Sequence, residues 1–363
     1  MKRRLICLIA LGVIGWLIWF RPSAPSGGLP GIPDSSRELL RIWTVSSIGG
    51  GQAWLKAALK QYEQTHPGIM TYLRSVPASE LTCEDAVLPD LVLYMPGDLT
   101  DPSMFSQLSG VLSAEEALLR CGRWRGQQVG LPLCWGGYVL AIDESLEPGI
   151  ATTPAPTTLL GRPAATVDPG ATPTPGYPLE AASAADEALQ APAGAALFAL
   201  GLILPEVPTL PASFGTLHST EVYQRYLSHR CASAVLTTGQ LVALEGLVSS
   251  GKAAAFRTLV ADTVITDQVW LASIVQGASP QAAELLGELT DHDAQKLLAA
   301  QGLHPVQFSL RLYPSGVPLL LDRAASRSFT AVNAYVPRAD VERASRLYSQ
   351  GACSLDDALL PLI

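Results

Sequence analysis

Lys2, Arg3 and Arg4 open the chain, and an uninterrupted apolar run from Leu5 to Phe20 follows, ended by Arg21. As a helix, about 16 residues span roughly 24 Å, somewhat short of a ~30 Å hydrocarbon core. Arg4 and Arg21 can reach the headgroups along their apolar stems, and Trp16 and Trp19 are placed as interfacial anchors. Basic residues ahead of the run keep that end on the cytoplasmic side. The pattern predicts a single-pass anchor over residues 5–20, within a basic tip and membrane segment at 1–21, followed by a Pro/Gly/Ser linker at 22–37. A cleaved signal peptide is the competing reading. Ala24 before Pro25 is a poor cleavage setting, but Ser26 and Gly28 leave a weak site, and the mature chain would then begin near Leu29. A lipid anchor would need a cysteine just after the run, yet Cys7 lies inside it and the next is Cys83.

Beyond the linker, Leu39 to Val45 reads as a buried strand, followed by Ser46-Ser47-Ile48 and a Gly49-Gly50-Gly51 loop. Trp54, Leu55, Ala58, Leu59 and Tyr62 then repeat at helical spacing until His66-Pro67-Gly68. Met70 to Val76 and Asp90 to Tyr94 read as strands, so the opening has the strand, helix, strand signature of a parallel sheet. Between Gln127 and Ile142 two extended stretches flank Cys134-Trp135-Gly136-Gly137, a candidate crossing between lobes. Glu147 to Ala195 is rich in Pro, Thr, Ala and Gly, with a helical pattern only over Leu179 to Leu189; loops and weak order are expected there.

Ser279-Pro280 supplies an N-cap and a favoured first residue for a helix with Ala282, Leu285, Leu286 and Leu289 on one face. Thr290-Asp291-His292-Asp293 resembles a capping box opening a second helix that stops at Gly302, with Pro305 beyond. Val341, Ala344, Leu347 and Tyr348 predict another helix, and Ser354 caps a short last one. Thr237-Thr238-Gly239-Gln240 reads as a polar turn after the Ala232 to Leu236 run.

The roughly 325 residues after the linker exceed what one hydrophobic core usually organises, so two lobes are expected. A net charge of −8 with 15% charged residues offers no basic stripe for nucleic acid. Of six cysteines, one lies in the apolar run, leaving an odd number for pairing: disulfides and buried free thiols are both open.

Candidate chemistry changes the picture little. The glycine loop lacks the Gly-Lys-Ser/Thr ending of a phosphate loop and the spacing of a dinucleotide loop; its backbone N–H groups with the Ser46 and Ser47 hydroxyls suit a polar ligand, or form a plain strand-to-helix turn. His66, His218, His229, His292 and His304 are scattered at no ligand spacing, so neither a metal nor another cofactor is expected. No Gly-x-Ser-x-Gly elbow occurs and no triad is nominated, so the chain is not expected to be an enzyme. Tyr94, Trp135, Tyr138 and Trp270, at predicted element ends, are either core or stacking faces for a sugar ring.

Taken in order, the opening strand and helix (Leu40 to Pro67), Pro89-Asp90-Leu91-Val92, Gly130-Leu131-Pro132 to Asp143, Ala278-Ser279-Pro280 through Leu289-Thr290, Ala294-Gln295 and Gly302-Leu303-His304-Pro305-Val306 resemble one family. It is that of extracellular solute-binding proteins of ABC transporters, of the carbohydrate, maltose-binding-protein-like type. Two departures stand out: Ile142-Asp143 replaces the family's Tyr-Asn, and only Pro156-Thr157-Thr158-Leu159 stands for its Thr-Trp segment. The resemblance implies an α/β, two-lobed periplasmic-binding-protein-like fold with hinge crossings, here preceded by one N-terminal transmembrane helix. Lobe 1 would comprise residues 38–134 with 259–303, and lobe 2 residues 135–258 with 304–363. It further implies a small polar solute, a sugar or oligosaccharide, held by Ser46, Ser47, Tyr94, Trp135, Tyr138, Thr237, Thr238, Gln240 and Trp270 and passed to an ABC permease. A membrane-anchored sensor or interaction protein that kept the fold without feeding transport would have the same layout.

Overall fold

The computed structural model describes residues 37–82, 87–110, 113–146, 187–195, 197–198 and 214–363. The Leu5–Phe20 run lies outside them, and no helix among the described residues is long and apolar enough to cross a membrane.

The opening follows the sequence pattern closely. Strands β1 (Glu38–Thr44) and β2 (Ile69–Ser75), joined through helix α1 (Gly51–Thr65), pair in parallel, and β3 (Leu91–Tyr94) runs parallel on the other side of β1. Helix α1 buries the five residues whose spacing announced it, Trp54, Leu55, Ala58, Leu59 and Tyr62. The indole N–H of Trp54 donates to the Ala294 carbonyl at 2.8 Å, so the ring's one polar atom is satisfied inside the core.

Two further stretches complete the secondary structure of the first sheet: β4 (Leu131–Trp135) and, after an excursion, β10 (Val269–Ile274). Between them run β5 (Tyr138–Asp143), β6 (Glu187–Gln190), α2 (Ser219–Leu227), β7 (Cys231–Thr237), α3 (Thr238–Ser249), β8 (Phe256–Leu259) and β9 (Val264–Thr266). The first sheet has order β2-β1-β3-β10-β4, with β10 antiparallel to both neighbours. The second has order β8-β5-β7-β6. Its strand β6 pairs parallel with β7, and this corrects the helical pattern read over Leu179 to Leu189: residues 187–190 are extended, because pairing with β7 outweighs local Ala-rich propensity. The rest of that pattern lies outside the described residues, as does most of the Pro/Thr/Ala-rich stretch.

After β10 come α4 (Pro280–Thr290), α5 (His292–Lys296), α6 (Gly316–Arg327), β11 (Phe329–Ala331), α7 (Arg338–Ser349) and α8 (Leu355–Leu359). Strand β11 pairs parallel with β9. Ser279 caps α4 by accepting from the Gln281 amide, and Ser354 caps α8, as their positions predict. The capping box expected at Thr290 does not form. Its hydroxyl donates back to the Gly287 carbonyl at 2.9 Å, and Asp291 is the N-cap of α5 without a side-chain bond. Gly302, at φ +68°, ends that region in the left-handed conformation.

Gln295 ties these parts together from a fully buried position. Its Nε2 donates to the carbonyls of Leu133 and Leu289, each at 2.9 Å, and its Oε1 accepts from the Val306 amide at 2.9 Å. Strand β4, the end of α4 and the segment after Gly302 are thereby held by one side chain. Cys121, Cys134 and Cys353 are free thiols, while Cys7 and Cys83 lie outside the described residues.

Candidate functional site

Two chain crossings run side by side between the sheets. The first is Gly136-Gly137, linking β4 to β5; the second is Asp267-Gln268, linking β9 to β10. The Gly136 amide donates to the Gln268 carbonyl at 2.7 Å, and the Thr266 hydroxyl donates to the Gly136 carbonyl at 2.9 Å. Tyr138 pins the same junction: its O–H donates to Asp267 at 2.6 Å and accepts from Gln268 Nε2 at 2.9 Å. Burial, reinforced by the Asp267 charge, raises this phenol's pKa well above its ordinary value. Glycine is required at Gly136 for space. A Cβ there would lie 2.6 Å from Thr238 Oγ1 and 2.9 Å from Ile48 Cδ1.

Beside the crossings the loop after β1 meets the start of α3. Gly50, at φ +82°, turns the chain into α1. The Trp270 indole donates to the Ser46 carbonyl at 2.8 Å. The Ser46 hydroxyl donates to the Asp98 carboxylate, which also accepts from the Met95 amide at 2.8 Å. Opposite, Thr237-Thr238-Gly239-Gln240 is not a plain turn but the start of a twelve-residue helix. Thr237 accepts from the Gln240 amide at 3.3 Å, and Gln240 Oε1 accepts from the Thr237 amide at 3.0 Å, a complete capping box. The Gln240 Nε2 donates to the Ser219 carbonyl and hydroxyl oxygens at 3.1 and 2.9 Å.

Across this seam backbone meets backbone. A Cβ on Gly239 would lie 2.9 Å from Gly49 Cα, and one on Gly49 would lie 3.1 Å from Gly239 Cα. Helices α1 and α3 both begin here, so both bring N-terminal partial positive charge to the seam, which suits electron-rich ligand groups. The Thr238 Oγ1 is buried and has no hydrogen-bond partner among the described residues.

The structure therefore gathers Ser46, Ser47, Thr237, Thr238, Gln240 and Trp270 around one seam, with Trp135 and Tyr138 at the adjacent crossing. The aromatics, however, are packed. Trp270 is fully buried and meets Trp54 edge to face at 6.2 Å. Trp135, also fully buried, stacks on His304 at 4.1 Å and donates to the Pro305 carbonyl at 2.9 Å. His304 Nδ1 in turn lies 2.6 Å from Asp322 Oδ1. Tyr94 joins a different group, bonding Ser273 at 2.7 Å and Tyr335 at 2.9 Å and stacking on Phe105. Sequence reading missed Asp98, Asp267, Gln268 and Asp322, because their contacts with Ser46, Tyr138 and His304 join residues far apart in the chain.

No family model and no curated protein matches the chain. Solved structures do. The chain is similar in fold to the GacH receptor of Streptomyces glaucescens, solved unliganded and with acarbose, at TM-score 0.59 and 13% identity, covering 89% of this chain and 96% of that one. It is also similar to the maltose/maltodextrin-binding domain MalE of Bdellovibrio bacteriovorus bound to maltotriose, at TM-score 0.54 and 14% identity over 88% of this chain and 96% of that one. A third is maltose-bound MalE3 of T. maritima, at TM-score 0.55 and 12% identity over 89% and 97%. The two sheets, the paired crossings and these likenesses give this chain the two-lobed α/β fold of the periplasmic maltose- and oligosaccharide-binding proteins.

Proposed function

We propose that this chain is an extracytoplasmic receptor that binds a small polar solute, a sugar or oligosaccharide, between its lobes and delivers it to an ABC permease. The observation that carries the reading is the pair of crossings beside a seam lined by Ser46, Ser47, Thr237, Thr238 and Gln240, in a fold whose solved neighbours hold maltose, maltotriose and acarbose. In this reading lobe 1 is 38–134 with 268–303 and lobe 2 is 135–267 with 304–363; the boundary expected at 258/259 moves to the second crossing because 256–259 and 264–266 pair with β5 and β11. Closure is a hinge motion at Gly136-Gly137 and Asp267-Gln268. The Leu5–Phe20 run tethers the receptor near its permease, raising effective concentration. Binding and release need no covalent step.

One observation favours a second reading, a membrane-anchored sensor or interaction protein that feeds no transport. Gly49 touches Gly239 across the seam, and Trp135 and Trp270 are engaged with the protein's own groups. Calorimetry and thermal melting with maltose, maltotriose, acarbose, polyamines and short peptides separate the two. A ligand at 100 times its Kd adds about 2.7 kcal/mol of stability. A sugar response supports the receptor; silence toward every class favours the sensor. N-terminal analysis of the membrane fraction tests the tether, and a chain beginning near Leu29 would refute it.

A further inference from the structure

Where the C-terminus of α1 meets α4, three side chains converge that no sequence motif connects. We propose that His66, Glu284 and Glu288 form a binding site for a divalent transition-metal ion, with zinc as the ion it suits best. The inference is independent of solute binding.

His66 caps the C-terminus of α1, where its position is fixed by two bonds. Its backbone amide donates to the Tyr62 carbonyl at 2.9 Å, and its ring Nδ1 lies 3.1 Å from that same carbonyl and 3.0 Å from Thr65 Oγ1. In the tautomer with the proton on Nδ1, which donates to that carbonyl, Nε2 presents its lone pair outward, the arrangement by which a backbone carbonyl orients a metal-ligating imidazole.

Nε2 faces two carboxylates. Glu284 and Glu288 stand four residues apart on α4, hence on one helix face. Their Oε1 atoms lie 3.4 and 3.5 Å from Nε2. Those separations exceed the ~2.7–2.9 Å of a charge-assisted hydrogen bond. They match instead the edge of a tetrahedron around an ion bound at ~2.0–2.1 Å, which is about 3.3 Å. All three ligand atoms lie within 4.8 Å of one another. Two like charges at this spacing repel. Among the described residues, His66 is the ion-pair partner of both.

Tyr62 is a separate pointer to a ligand. Its ring lies flat against His66, with centroids 4.2 Å apart, and the residue is 2% exposed. Its hydroxyl is buried and has no hydrogen-bond partner among the described residues. A water in the fourth coordination position gives it a partner. A groove of about 470 Å³ lined by Gln61, Tyr62, Glu288, Asp291, His292 and Asp293 opens beside Glu288.

The donor set decides the ion. One imidazole nitrogen and two carboxylates with no thiolate suit zinc; calcium takes six to eight oxygens, and magnesium keeps an octahedral, largely hydrated shell. Three protein ligands leave one position open. Bound metal also clamps the end of α1 to the middle of α4, so it should stabilise the first lobe.

The full chain in detergent, stripped with EDTA, is titrated with zinc chloride by calorimetry and followed by thermal melting. Expected are one zinc per chain removed by His66→Ala or by Glu284→Gln with Glu288→Gln, a fall in affinity of at least ~100-fold, and about tenfold weakening in Tyr62→Phe. Circular dichroism and melting in EDTA verify that each variant folds. Cobalt in place of zinc should give d–d absorption without thiolate charge-transfer bands. Absence of zinc binding by the unmodified chain, or undiminished affinity in folded His66→Ala, would overturn the site and leave His66 as an ion-pair partner of the two glutamates.

Discussion

Replacing Gly239 with alanine sets two effects of opposite sign against each other. Gly239 lies in the first turn of α3, where alanine is worth up to ~1 kcal/mol over glycine in helix propensity. On local grounds alone the change stabilises. The new Cβ, however, would sit 2.9 Å from Gly49 Cα and 3.3 Å from its carbonyl carbon and oxygen. Carbon atoms settle at about 3.5–4.0 Å, so the two backbones must part by roughly 0.6–1 Å at this point. No flexible side-chain end is available to yield, because every atom met is backbone. Overpacking of this kind costs about 1–3 kcal/mol. Set against a gain of ~1 kcal/mol, this leaves the closed seam weaker by up to about 2 kcal/mol, a factor of up to roughly 30 in its population. Small-angle scattering should therefore report a larger radius of gyration for Gly239→Ala, and hydrogen exchange should accelerate at Gly136-Gly137. Gly49→Ala, with its Cβ 3.1 Å from Gly239 Cα, should show the same changes more weakly. An unchanged radius together with a raised melting temperature would refute the seam contact, leaving helix propensity as the whole effect.

Other predictions follow from buried polar atoms. Gln295→Leu keeps the volume but strands two carbonyls and one amide, so it should lower the unfolding free energy by about 3 kcal/mol in urea titrations. Thr238→Val removes a buried hydroxyl that has no partner among the described residues and should raise stability by about 1 kcal/mol, read as a higher urea midpoint. Burial pushes the Cys121 and Cys134 thiols far up from their ordinary range, so mass-mapped alkylation of the native chain should modify the partly exposed Cys353 and spare both until the protein unfolds.

Much of this was legible in the sequence because it is local. The five-residue face of α1, the Ser279-Pro280 start of α4, the Ser354 cap and the Gly302 stop depend on spacing within one or two turns, and the structure places each where the pattern does. The charge asymmetry around Leu5–Phe20 is equally local, but that run lies outside the described residues. Where local rules competed with distant partners, tertiary contact won. Strand β6 lies at the end of a helical pattern because β7 offers it a ladder, and Thr290 bonds back to Gly287 instead of capping α5. The aromatic residues show the limit most clearly. Their sequence positions fit either core or ligand faces, and only the fold shows Trp135 against His304, Trp270 against Trp54 and Tyr94 bonded to Tyr335. The same holds for Gly49 against Gly239 and for His66 beside Glu284 and Glu288. Periodicity and caps are properties of neighbours along the chain; which faces close on one another, and which charges converge, is decided by contacts between residues far apart in sequence.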